Sequence, residues 1–282
     1  MKLAIFYQHM LDAARQMGYS KEESPIEAAR LASKLGYEMV ECSYDHIKED
    51  PVGFKEYLQS FGLAVSCVYI SFELNHVIDI DDIQNKLQNA AKAGTGKVLI
   101  IPGYYDHAES ETDEYNKETE AFIQGLALIC DEAGKLNIQV VVEDFDNDRS
   151  PCCRTDQLVM LTERISNLWV AFDTGNFLYY LDDAISSYPK LKNRIAHVHL
   201  KDRLTSPAHQ EDKQVRRTDG SMVYPCAACE GIARIRQILQ WLKQDGYDGI
   251  LSVEHFGSIC EAELAKRSIQ NVKAVWESAL ED

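Results

Sequence analysis

Eight short apolar runs punctuate the chain, at residues 3–7, 37–42, 64–70, 97–101, 138–143, 168–173, 195–200 and 250–254. They are apolar nearly throughout rather than alternating with polar residues. That is the pattern of parallel strands buried on both faces. Stretches of helical periodicity separate many of the runs. The first begins at Ser24-Pro25, a capping residue followed by proline at the first helical position, and closes at Gly36. Others are predicted over 81–93, 112–136, 156–166, 184–188, 232–244 and 261–280. Eight strands alternating with helices over 282 residues predict a (β/α)8 TIM barrel, one domain spanning 1–282. A doubly wound nucleotide-binding sheet fits less well, because no GxGxxG follows the first strand and no GxxxxGK[ST] occurs.

The last four runs end abruptly in residues able to bind a metal: VVVE at Glu143, AFD at Asp173, HVH at His199 and SVE at Glu254. In α/β barrels the carboxyl ends of the strands carry the chemistry. Two glutamates, an aspartate and a histidine form a hard, mostly oxygen ligand set for a divalent cation. An ion chelating a carbonyl and its neighbouring hydroxyl would acidify the adjacent C–H and stabilise the resulting enediolate. One glutamate could then remove the proton while the other returned it on the opposite face.

VVVE at 140–143, AFDTGN at 171–176, HVHLKD at 197–202, the Glu230-Gly231 pair and GYDGILSVEHF at 246–256 resemble the xylose-isomerase-like sugar isomerase and epimerase family. The resemblance implies one divalent ion (Mn, Mg, Co or Zn) held by Glu143, Asp173, His199 and Glu254. It also implies that Glu143 and Glu254 act as the acid–base pair on a small sugar or polyol. Asn176 stands where the family often has a histidine; it can bind a sugar hydroxyl but cannot shuttle a proton. Tyr104 follows the fourth strand, where the family's DNA-repair endonucleases place a histidine. Lys201 and Arg203 are expected at substrate oxygens, and Tyr7 and Tyr104 among aromatics that could stack on a sugar, together with Phe6, Tyr69, Phe145, Phe177 and Phe256. His197 should lie one layer deeper than His199 on the same strand face, and His255 should point outward into the helices. His9, His46, His76, His107 and His209 read as surface or substrate-side groups.

A net charge of −16 repels phosphate backbones and anionic membranes, and no basic patch offsets it. Neither nucleic acid nor membrane is therefore an expected partner. The amino-terminal apolar run is too short for a signal peptide or a membrane span, so a cytoplasmic protein is expected. Eight cysteines lack the spacing of a disulfide framework. Cys152-Cys153 and Cys226-x-x-Cys229 could suggest zinc or redox chemistry, but no second CxxC accompanies them. The long segment 202–231 beside His199 is expected to form a lid over substrate. A metal-dependent isomerase or epimerase is the leading reading. The alternatives are an inosose-dehydratase-like lyase on the same site and a non-catalytic sugar-binding relative. The sequence leaves substrate identity and oligomeric state open, a homo-oligomer included.

Overall fold

The computed structural model describes residues 1–76, 78–106, 112–180 and 182–278. In chain order these form β1 (Lys2–Phe6), α1 (Tyr7–Gln16), α2 (Ser24–Leu35), β2 (Met39–Ser43), α3 (Pro51–Gln59), β3 (Ala64–Ser71), α4 (Ile80–Lys92), β4 (Lys97–Ile101) and α5 (Asp113–Lys135). The second half continues with β5 (Gln139–Glu143), α6 (Thr155–Arg164), β6 (Leu168–Asp173), α7 (Ala184–Leu191), β7 (Ile195–Leu204), β8 (Val215–Arg216), β9 (Met222–Cys226), α8 (Ile235–Gln244), β10 (Ile250–Glu254) and α9 (Glu261–Ser278). Strands β1 to β7 pair in sequence, and β10 pairs parallel with both β7 and β1, which closes an eight-stranded parallel TIM barrel.

The pleat divides each strand between two cores. Val140, Val142, Val170, Phe172, Val198, Leu200, Leu251 and Val253 join the main cluster between sheet and helices. Cys67, Leu99, Val141 and Ala171 form a separate cluster inside the barrel. The metal-type residues share that inner face, because Glu143 lies two positions beyond Val141 and Asp173 two beyond Ala171. Two register shifts adjust it, at Val40/Glu41 between β2 and β3 and at Val170/Ala171 between β6 and β7. Irregularities of this kind re-aim side chains at barrel rims.

Several expectations are corrected. The first apolar run stops at Phe6, and Tyr7 opens α1, a helix the sequence pattern did not reveal. Helix α3 was also missed, although Asp50 caps it by accepting from the Gly53 amide at 2.8 Å and Pro51 opens it. The segment expected as a lid carries strand structure at 202–204, 215–216 and 222–226. Strand β7 runs on to Leu204, β9 pairs antiparallel with it (Asp202 opposite Cys226), and β8 pairs with β9. Alternating burial along β9, with Val223 and Pro225 inward, makes it a strand. All eight cysteines are free. Residues 279 and 280 of the predicted last helix, and His107, lie outside the described residues.

Candidate metal centre

Pairing register brings the strand-end residues to one level. Asp173 lies opposite His199 on β7, Ser252 opposite His199 on β10, and Glu254 opposite Lys201. One donor atom from each of Glu143, Asp173, His199 and Glu254 falls within 4.8 Å of the others, and all four residues are buried. His199 Nδ1 faces this group, 3.0 Å from Glu143 Oε2, 3.2 Å from Glu254 Oε2 and 3.7 Å from Asp173 Oδ2.

The other ring nitrogen of His199 is held from below by a residue that sequence reasoning missed. Glu41, fully buried on β2, sits 3.2 Å from His199 Nε2 through Oε1 and 2.8 Å from His197 Nε2 through Oε2. Burial opposes charge on Glu41, but the two imidazoles outweigh it and hold its carboxyl well below the usual range. An ionised acceptor at Nε2 holds an imidazole proton there, so that with an ion in the site Nδ1 would be the ligating nitrogen, the arrangement found behind metal-binding histidines. The only signal in the sequence was a glutamate inside an otherwise apolar strand. His197 lies one layer deeper than His199, as expected, and burial pushes its pKa down to about 4.

Asp144, the second unanticipated acid, accepts the Asp173 amide at 3.1 Å. Burial first, then the neighbouring Asp173 and Glu143, push its carboxyl well above the usual range. Gly175 and Asn176 amides donate to Asp173 Oδ1 at 2.7 and 3.0 Å, fixing its orientation. A Cβ on Gly175 would strike the Lys201 side chain and carbonyl, so this tight turn requires glycine. Gly231 is equally constrained: its amide donates to Asp202 at 2.8 Å, and a Cβ there would meet the Arg203 carbonyl.

Lys201 enters the same cluster. Its ammonium is 2.6 Å from Glu254 Oε1 and 3.0 Å from Asp173 Oδ2, and donates to Asn176 Oδ1 at 2.8 Å. Burial would raise the Asp173 carboxyl, but Lys201 and His199 outweigh it and hold it below the ordinary range. Glu143, where burial dominates over its hydrogen bond to His199, is pushed up to about 7. The donor set fits a divalent ion. Glu254 Oε2 is buried yet accepts no hydrogen bond, and three carboxylates with one imidazole match a hard cation.

Above the cluster opens a cavity of about 750 Å³, lined among others by Phe6, Tyr69, Phe145, Asn176, Lys201, Arg203 and Phe256. The folded-back segment contributes Glu211, Lys213, Gln214 and Val215 to its wall. The volume suits a small polar molecule with one aromatic-lined side.

A sequence model of xylose isomerase-like TIM barrels matches residues 29–275. The chain belongs to that family. Among solved structures it resembles D-allulose 3-epimerase from Methylomonas sp. in complex with D-allulose, with TM-score 0.73 and 13% identity over 97% of this chain and 96% of the other. It likewise resembles the probable 3-DHS dehydratase AsbF from Bacillus anthracis, with TM-score 0.73 and 15% identity over 97% and 99%. A third likeness is to a xylose isomerase-like TIM barrel protein from Mycobacterium smegmatis in complex with magnesium, with TM-score 0.71 and 16% identity over 99% and 97%. Identities this low establish the shared fold alone. By sequence, the inosose dehydratase of Lacticaseibacillus casei is 24% identical over 162 residues, 55% of this chain and 52% of that protein. The chain thus spans about half the length of the curated relatives it matches.

Within this family frame the remaining expected positions fall into two groups. Asn176, Lys201 and Arg203 line the cavity together with Glu143, His199 and Glu254. Tyr7 does not: its ring packs against His46 and Phe54 under α2 and α3, with its hydroxyl 3.3 Å from the Pro25 carbonyl. Two positions beyond Ile5, it lies on the face of the sheet that packs against the helices, whereas Phe6 faces the cavity. Tyr104 is half-buried beside Phe145, ring centroids 6.1 Å apart, and is not part of the cavity wall. Phe177 is buried against Phe172 instead. His255 faces the helices, its Nδ1 2.7 Å from Glu261, and stacks on His9 at 4.6 Å. His9, expected at the surface or beside substrate, is fully buried. Its Nε2 accepts the His255 amide at 2.9 Å, so its proton lies on Nδ1 and that nitrogen cannot hold a metal. Among the described residues no helix is long and apolar enough to cross a membrane.

Proposed function

We propose that this protein is a divalent-metal-dependent enzyme of the cytoplasm that moves a proton at a carbon beside the carbonyl of a small sugar or polyol, as an isomerase or epimerase. The supporting observation is that Glu143 and Glu254, from strands on different sides of the barrel, both approach His199 Nδ1, at 3.0 and 3.2 Å. They therefore converge on the ion position from two strands three apart around the barrel. Manganese or magnesium held by Glu143, Asp173, His199 and Glu254 would supply Lewis-acid polarisation of the substrate carbonyl. Glu143, which the bound cation would hold ionised, is the residue that takes the proton. Glu254, ion-paired with Lys201, serves on the other face, and Asn176 and Lys201 orient substrate oxygens. Phe6, Tyr69 and Phe256 keep water from the reacting carbon.

The likeness to inosose dehydratase and the Lys201 ammonium, placed to protonate a departing hydroxyl, favour dehydration as the second reading. Incubating metal-loaded protein in D2O with D-allulose, D-fructose and scyllo-inosose separates the two by proton NMR. Metal-dependent exchange with inverted or isomerised product supports the first reading. A product lighter by one water supports the second. No exchange with any of the three, with the ion bound, refutes proton transfer on these substrate classes.

A further inference from the structure

Of the large hydrophobic side chains exposed to solvent among the described residues, only Phe256 and Ile259, at 40% and 41%, line the cavity. Their exposure is not looseness, because each residue of the loop 256–259 is held by a hydrogen bond from another segment. The Phe256 carbonyl accepts from Arg203 Nη1 at 3.0 Å and the Gly257 carbonyl from the Lys213 amide at 2.8 Å. The Ser258 carbonyl accepts from Gln16 Nε2 at 3.0 Å, and the Ile259 amide donates to Asp212 Oδ1 at 3.2 Å. Strand β7, helix α1 and the segment before β8 thus meet on this loop and fix which way it faces. Gly257 has φ +99°, and a Cβ there would fall 2.9 Å from Lys213 Cβ, so the close approach depends on glycine.

Rings lead outward from the donor set to this loop. The Phe6 ring lies 5.0 Å from that of His199 and 5.9 Å from that of Phe256, edge-on to both. Exposure rises along the same line, from 0% at His199 through 6% at Phe6 to 40% at Phe256. An apolar wall therefore continues from the ion position toward solvent. The cavity is also larger than a sugar needs. Even at about 30 Å³ each, the share of a water molecule in the liquid, the twelve heavy atoms of a hexose fill about 360 Å³, under half of the 750 Å³ available. Single apolar side chains on a surface need no explanation, but a fixed pair in the wall of a half-filled cavity marks a surface that a ligand covers. We propose that Phe256 and Ile259 form a subsite for an apolar substituent of the substrate, an aryl or alkyl group remote from the reacting carbon, so that the substrate is a substituted sugar and not a free one. An aryl group would pack on the Phe256 ring and an alkyl chain along Ile259, each gaining by leaving water. The inference rests on the proton-transfer reading for the sugar part of the molecule and adds the substituent.

The test uses three ethers of one ketose on the manganese-loaded protein, titrated calorimetrically. 6-O-benzyl-D-fructose and 6-O-hexyl-D-fructose are each compared with 6-O-methyl-D-fructose, which has the same free carbonyl and hydroxyls. At least one of the larger ethers is expected to bind about tenfold or more tightly than the methyl ether, and the one that does identifies the substituent as aryl or alkyl. In Phe256→Ala that preference should fall to within about twofold. In Ile259→Ser it should fall at least about threefold, while the methyl ether binds as in the wild type. Ile259 is exposed, so its variant carries the test should Phe256→Ala not fold. Equal binding of the three ethers, including no binding by any, overturns the inference. So does a preference that survives in either folded variant, since the substituent would then lie elsewhere. Solvent exchange of the same ethers is scored separately by proton NMR in D2O. A preference for the larger ethers without exchange on any of them refutes the proton-transfer reading alone. Exchange without that preference refutes this inference alone.

Discussion

Replacing Glu41 by glutamine should weaken metal binding although Glu41 cannot touch the ion. Glu41 accepts from His197 Nε2 at 2.8 Å and from His199 Nε2 at 3.2 Å, one carboxylate oxygen to each. Glutamine offers one oxygen and one NH2, so one of the two imidazoles must face a donor. If His199 does, its proton moves to Nδ1, the nitrogen that faces Glu143, Asp173 and Glu254. If His197 does, His199 keeps its tautomer but loses the charged acceptor that makes its imidazole a stronger ligand. Outer partners of this kind are worth about 10- to 100-fold in affinity, or about 1.4 to 2.7 kcal/mol. The assay is calorimetric titration of manganese into chelator-stripped protein, with the rise in Tm on metal addition as a second reading. At an ion concentration 100 times the wild-type Kd, linkage stabilises the wild type by about 2.7 kcal/mol. The same concentration should give the variant only about 0.4 to 1.4 kcal/mol by the same relation. Wild-type affinity in Glu41→Gln, with the fold intact, would show that Glu41 plays no part in orienting His199.

Three further outcomes follow from the same geometry. Glu143→Gln and Glu254→Gln each keep an oxygen ligand and should retain the ion while losing roughly a thousandfold in turnover, within the range for general acid–base groups; near-normal turnover with metal bound excludes that residue as the base. Wild-type protein should carry about one equivalent of divalent metal by elemental analysis, given one ligand per strand end, and Asp173→Ala should lose it; full occupancy in that variant means the site is misassigned. His9→Phe leaves the buried His255 amide without its acceptor and should cost about 1 to 3 kcal/mol in urea unfolding, whereas His9→Gln can restore an acceptor and part of that loss; equal stability of His9→Phe and wild type contradicts the role of His9 as an anchor of the loop beyond Glu254.

The barrel was legible because its evidence is local. A parallel strand buried on both faces must be apolar along its whole length, so eight such runs with intervening helical periodicity define the fold without any long-range knowledge. The placing of Glu143, Asp173, His199 and Glu254 together was legible for a related reason: each ends its run, and strand ends in a barrel share one rim. Helices α1 and α3 escaped because they are short and begin without a gap of polar residues or behind an inconspicuous cap. Tyr7 was legible from the pleat alone: it shares the face of Leu3 and Ile5, which packs against the helices, while Phe6 faces the cavity. What the sequence could not supply is any relation across the barrel. Glu41 and His199 are 158 residues apart and meet only because closure of β1 through β10 lays the inner faces of β2 and β7 against one another. The embrace of Lys201 by Glu254 and Asp173 and the pairing of β9 with β7 and β8 are likewise set by tertiary packing. A residue's type fixes which charge or hydrogen bond it can offer, but which partner satisfies it depends on the closed barrel and on the cost of leaving a polar group buried alone.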